Sequence, residues 1–166
     1  AAFAAGVLAE LQGTGLDAAA FFRANDTCGV AGDHGAVTID GEAKPVWWAF
    51  DLWQRMAPTQ VAAATSTGLF DALDGVWVVA SAGGGRVAVL LASFRAAGSS
   101  PPTHALTVDV SGLAAEPVAA TVRRVDTSHP AADTAEPLPL EGNTVRLELP
   151  TPGVALIELE LPAAAG

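Results

Sequence analysis

Downstream of Pro58 the chain alternates apolar and polar residues with a period of two, and this rhythm limits the possible folds more than anything else in it. Leu106, Val108 and Val110 stand against Thr107 and Asp109; Val145, Leu147 and Leu149 against Arg146 and Glu148; Ile157, Leu159 and Leu161 against Glu158 and Glu160. Successive side chains of an extended strand point to opposite faces, so each run fits an antiparallel strand packed on one side and wet on the other. Short segments rich in Val, Leu and Ile at 60–66, 76–81, 86–94, 105–110, 117–125, 144–149 and 154–161 are read as the strands. Ala82-Gly83-Gly84-Gly85 joins two of them as a hairpin, and Thr151-Pro152-Gly153 fits a type II turn between the last two. About seven short strands separated by turns rich in Gly and Pro predict a β-sandwich.

Ahead of the strands lies a helix. Pro45 has its φ preset for a first helical turn and no N–H to leave unpaired there, so a helix is predicted over 45–56, ending before Pro58. Val46, Ala49, Phe50 and Trp53 make one apolar stripe, and Trp48, Leu52 and Met56 make a second beside it. Asp51, Gln54 and Arg55 are left for water. A helix apolar over most of its circumference has to be covered on more than one side. The expectation is that it bridges two bodies, with Ala49, Phe50 and Trp53 on the sandwich and Trp48, Leu52 and Met56 on the chain before it.

That earlier chain has an α/β rhythm. Residues 1–12 read as a helix with Phe3, Val7, Leu8 and Leu11 on one face, and Gly13-Thr14-Gly15 supplies residues that end it. Residues 16–23 form an apolar run of the kind a fully buried parallel strand shows. A loop of about 20 residues then reaches Lys44, and loops of that length inside a compact domain are usually functional. Within it Asp40-Gly41 is a turn signal, and 36–39 fits a short extended piece. Opening inside a helix, without a cap, is the pattern of a truncated chain.

Composition narrows the partners. The chain has 166 residues, 51% of them hydrophobic, enough to bury a core. Its formal net charge is −10, which argues against nucleic acid or an anionic membrane as a partner, since either needs a basic face. Cys28 has no second cysteine to pair with, and three scattered histidines make no zinc pattern, so no metal or cofactor is expected. No apolar run approaches the roughly 20 residues of a membrane span. Residues 1–11 carry one charge, Glu10, and so lack the basic start of a signal peptide, which leaves the compartment open.

Phe21-Phe22-Arg23-Ala24-Asn25-Asp26, a loop ending in Ile39-Asp40-Gly41-Glu42-Ala43-Lys44-Pro45-Val46-Trp47-Trp48-Ala49-Phe50, the strands, and a closing Leu149-Pro150-Thr151-Pro152-Gly153-Val154-Ala155-Leu156-Ile157-Glu158-Leu159 together resemble the C-terminal part of a clan-A glycoside hydrolase. The chain is similar to the family-39 enzymes, the β-xylosidases and α-L-iduronidases, and to related arabinofuranosidases. In those families a (β/α)8 barrel is followed by a β-sandwich, and a Lys-Pro-aromatic-aromatic-Ala segment opens the last barrel helix. The resemblance implies a mainly β chain: an antiparallel sandwich over 59–166, preceded over 1–58 by barrel helix 7, strand 8 and helix 8. It also implies that both catalytic glutamates, at the ends of barrel strands 4 and 7, precede residue 1, so that no residue of this chain is catalytic and the chain alone is inactive.

What the resemblance leaves here is one side of a sugar site. Active sites of such barrels lie at the C-terminal ends of the strands, which puts Arg23, Asn25 and Asp26 at the rim, with Asp33 and His34 further along the loop. Arg, carboxamide and carboxylate groups suit sugar hydroxyls, and Arg also suits a uronate carboxylate. The implied partners are an oligosaccharide or glycoside and the missing barrel part, in cis or in trans. The competing reading of the loop is a surface segment with an internal Arg23–Asp26 ion pair. Trp47, Trp48 and Trp53, at helical spacing beside Phe50, are read as core and not as a sugar platform. His104 and His129 are read as surface residues beside strands, and the Asn25-Asp26-Thr27 glycosylation triplet as one that chance readily supplies. Two other functions stay open: a self-contained carbohydrate-binding or interaction module, and a small α/β enzyme using Asp26, Asp33 or Asp40.

Overall fold

The computed structural model describes residues 1–12, 14–16, 19, 24–26, 35–65, 74–95 and 103–163. Two helices, α1 (Ala2–Leu11) and α2 (Pro45–Gln54), come before nine strands. The strands are β1 (Thr59–Val61), β2 (Asp74–Gly83), β3 (Arg86–Arg95), β4 (Thr103–Asp109), β5 (Ala119–Val125), β6 (Glu136–Pro137), β7 (Leu140–Glu141), β8 (Thr144–Pro150) and β9 (Gly153–Glu160). They form a six-stranded sheet in the order β1-β2-β3-β9-β5-β6 and a three-stranded sheet in the order β4-β8-β7, antiparallel throughout. The chain is mainly β, as its alternation predicts, with the two sheets packed as a sandwich. The two strands absent from the sequence reading, β6 and β7, are two residues long and too short to show a period.

The turns follow from glycine. Gly84 and Gly85 have φ of 62° and 75°, the paired positive values that let a two-residue turn match the twist of β2 and β3. The turn before β9 differs from the expected type II. Gly153 would need positive φ for that turn, but it is already extended as the first residue of β9, after a cis Thr151–Pro152 bond. A Cβ at Gly153 would sit 2.4 Å from the Pro150 carbonyl oxygen, which accounts for glycine there.

Two cores share the six-stranded sheet. Between the sheets lie Val76, Val87, Val89, Leu91, Val122, Val145, Leu147, Leu149, Ile157 and Leu159. On the opposite face Ala88, Leu90, Ala92, Val125, Val154 and Leu156 pack against Ala2, Ala5, Ala49 and Leu52 of the two helices. Burial on both faces explains why residues 87–92 of β3 and 153–157 of β9 lose the alternation that β4 and β8 keep. This second core joins residues from both sides of position 58.

The two helices meet the sheet in different ways. Small residues of α1 meet the sheet: Ala2 and Ala5 are buried, and Gly6 lies so close to the Trp77 ring that a Cβ would meet it at 3.4 Å. Phe3 and Val7, on the larger apolar face, are more exposed, Phe3 with 63% of its surface, although its ring still meets that of Phe94 at 5.5 Å between centroids. The sheet supplies the large groups here, Trp77 and Phe94, so the helix that fits against it is one with small side chains. In α2, Ala49 and Leu52 are fully buried on the sheet, flanked by Trp48, Trp53 and Met56, while Trp47 is 47% exposed. Positions 48, 49, 52, 53 and 56 form a single wide face at 3.6 residues per turn. Residues of both stripes thus share one core, in which α2 meets α1 as well as the sheet.

The end of α2 is clamped to the sandwich. The helix stops at Gln54, two residues earlier than expected, and Arg86 Nη2 donates to the Arg55 carbonyl at 2.9 Å. A cation at the carbonyl end of a helix also suits its dipole. Arg86 Nη1 pairs with Glu158 at 2.6 Å. The Ala57 N–H then donates to buried Ser81 Oγ at 2.8 Å, and the Pro58 ring lies against Gly83, where a Cβ would come within 2.9 Å.

Candidate functional site

Of the expected barrel strand at 16–23, Leu16 and Ala19 lie outside regular structure, and residues 17, 18 and 20–23 fall outside the described residues. Arg23, Asp33 and His34 lie outside them too. Asn25 and Asp26 can be followed. Asn25 pairs with Val37 in a parallel bridge, and Val37 pairs with Ala43 in an antiparallel one, so three stretches of the long loop lie side by side. The Asp26 N–H donates to the Val37 carbonyl at 2.9 Å, and the Ala36 and Val37 N–H groups both donate to the Ala24 carbonyl at 2.9 Å. The Thr38–Glu42 turn closes one end, with the Glu42 N–H donating to Thr38 Oγ1 at 3.0 Å and Gly41 at φ 87°.

The Asp26 carboxylate sits where these stretches meet. Its Oδ1 accepts the Gly35 N–H at 2.8 Å, and Lys44 Nζ donates to Oδ1 at 2.9 Å and to Oδ2 at 3.0 Å. With 15% of its side chain exposed, Asp26 is largely sheltered, and Lys44 stands at the N-cap of α2. Gly35 is obligatory on space alone, since a Cβ there would lie 2.4 Å from the Asp26 nitrogen. Asn25 is exposed, and among the described residues its amide makes one long contact, 3.4 Å to the Asp26 carbonyl. The structure thus brings Asn25 and Asp26 together with two residues that sequence reasoning missed, Gly35 and Lys44. No local spacing announces a pair 18 residues apart.

A second polar cluster lies in the connection from β5 to β6. Asp126 Oδ1 accepts from the Ser128 and His129 N–H groups at 2.7 and 2.9 Å and lies 2.9 Å from His129 Nδ1. His129 Nε2 is 3.6 Å from Glu136, which also pairs with Arg124 at 3.1 Å. Burial pushes the Asp126 carboxyl up, but the bonds from the His129 ring and from the Ser128 and His129 N–H groups outweigh it and hold the group below its usual value. The cluster fastens the loop beside Val125 and Ala132, which pack under α2. Among the described residues no group of His, Cys, Asp and Glu is arranged to hold a metal, and no helix is long and apolar enough to cross a membrane.

Comparison with known proteins gives fold-level likeness. No family model matches the chain, and no curated protein matches it. Among solved structures, a monomeric β-xylosidase from Caulobacter crescentus superposes with a TM-score of 0.68 at 18% identity, covering 96% of this chain and 41% of that one. A family-30 endoxylanase from Clostridium papyrosolvens gives 0.58 at 11% identity, over 76% of this chain and 30% of that one. A family-39 enzyme from Xanthomonas axonopodis gives 0.54 at 15% identity, over 79% and 33%. The chain therefore shares the fold of part of these enzymes, and it spans less than half of the length of each.

Proposed function

We propose that these 166 residues are the C-terminal part of a retaining glycoside hydrolase of the xylosidase, iduronidase or arabinofuranosidase type, with residues 1–58 closing a (β/α)8 barrel and 59–166 forming the sandwich packed on it. The observation that carries this reading is the two-sided helix layer. One side of α1 and α2 is seated on the sheet, while Val7, Trp47 and most of Phe3 are exposed, where the remaining barrel would cover them. The match to the xylosidase extends over helices and strands together, which supports treating them as one inherited unit.

On this reading the chain does no bond breaking of its own. A retaining mechanism needs two carboxyl groups about 5–5.5 Å apart, one as nucleophile and one as acid/base. Both belong to polypeptide outside these residues. The chain's contribution is to substrate binding, at a rim on which Arg23, Asn25, Asp26 and His34 lie and from which a glycoside or oligosaccharide is held by hydrogen bonds. Assay of the chain alone against aryl xylosides, arabinofuranosides and iduronides should show no turnover, and joining it to a barrel portion carrying both glutamates should restore it. Turnover by the chain alone that disappears in Asp26→Ala would overturn the reading and make this a small enzyme in its own right.

A further inference from the structure

Asp26 is a poor candidate for touching a sugar and a good one for holding the residue that does. A carboxylate offers roughly four lone-pair sites, and three donated bonds, one from Gly35 and two from Lys44, already use most of them. The cation that binds it is itself fixed. Lys44 caps α2, its own N–H donates to the Ala36 carbonyl at 2.9 Å, and α2 is anchored by fully buried Ala49 and Leu52 and by Arg86 at its far end. Rigid connections thus run from the sandwich sheet through α2 and Lys44 to Asp26. Asn25 precedes Asp26 and is exposed where the Asp26 side chain is sheltered, so Asn25 is the one of the two left open to a ligand.

We propose that Asp26 and Lys44 are positioning residues, a strut by which the sandwich-seated helix sets the rim of the site, and that Asn25 is the residue of the pair that hydrogen-bonds a sugar hydroxyl. The substrate side of this inference rests on the hydrolase reading above; the strut itself does not. The strut can be tested in the 166-residue chain by hydrogen exchange. Lys44→Met should speed exchange of the Gly35 and Asp26 N–H groups about tenfold while β3 and β9 amides stay as they were. Lys44→Arg should restore slow exchange, and Asp26→Asn should mimic Lys44→Met with little change in volume. Near-ultraviolet circular dichroism from the four tryptophans reports whether each variant is folded.

The substrate side is tested in the catalytic polypeptide. There Lys44→Met should lower kcat/KM about tenfold with recovery in Lys44→Arg, and Asn25→Ala should act mainly on KM. Unchanged Gly35 exchange in both Lys44→Met and Asp26→Asn would overturn the strut. A loosened loop with unaltered kcat/KM, or an Asn25→Ala variant with wild-type KM, would overturn the positioning role while leaving the hydrolase reading intact. If no catalytic polypeptide exists, that reading falls together with the sugar contact, and the exchange result still decides the strut.

Discussion

Asp126 takes three donated bonds into a side chain only 1% exposed, from the exposed Ser128 N–H and from part-buried His129, so removing it unfastens the loop beside the helix layer. Asp126→Ala should cost about 0.5–1.5 kcal/mol, read as a lower urea midpoint. The pH dependence has a definite sign. The folded carboxyl titrates below its unfolded value, so its contribution is complete above about pH 3.9 and is lost as pH falls through the folded value. The midpoint gap between wild type and Asp126→Ala should accordingly be widest near pH ~7 and shrink on acidification; a gap that widens in acid would contradict the assignment. Residues differ in how plainly the sequence declares them. An Asp two residues before a Ser is an ordinary turn signal, whereas Asp26 and Lys44 are related only by folding of the loop between them. Of the expected rim residues, the nature of Asn25 and Asp26 as polar loop groups was legible, but which of them is already engaged was not, because a side chain's partners depend on stretches distant in sequence.

At the level of elements, helix α2 was readable in place and not in orientation. Pro45 and the apolar spacing marked it, but deciding which stripe meets the sheet requires knowing that the sheet offers a flat face of Ala88, Leu90, Ala92 and Leu156. The strands were readable wherever one face is wet, as in β4 and β8, and the apolar runs of β3 and β9 followed from their length and turns. The packing yields a sharp contrast between two residues of one helix. Leu52→Ala should cost about 2–5 kcal/mol through the cavity it leaves, and Trp47→Ala should stay within about 0.5 kcal/mol despite removing a larger group. Equal losses at the two positions, measured by urea denaturation, would mean that α2 is covered on both sides.

For the whole molecule, the sandwich carries a two-helix layer whose outer side shows Phe3, Val7 and Trp47 to water. Exposed large apolar residues, where they adjoin, mark an interaction surface. Sedimentation of the chain should therefore show mass rising with concentration, and a Val7→Ser, Trp47→Ser variant should remain monomeric at a nearly unchanged urea midpoint. A monomer at all concentrations in the wild type would argue against an uncovered barrel side. The double-faced burial of β3 and β9 has one more effect. A strand with a wet face pays heavily for sliding one residue against its neighbour, because every polar group then turns inward. Across 87–92 that penalty is absent, since a slid strand would still present aliphatic side chains to both cores. Fidelity of this central pairing must then come from its ends, where Arg86 meets Glu158 at one limit and Ser93 meets Thr151 at the other, so that two polar contacts act as the vernier marks for a joint whose interior reads the same in either setting.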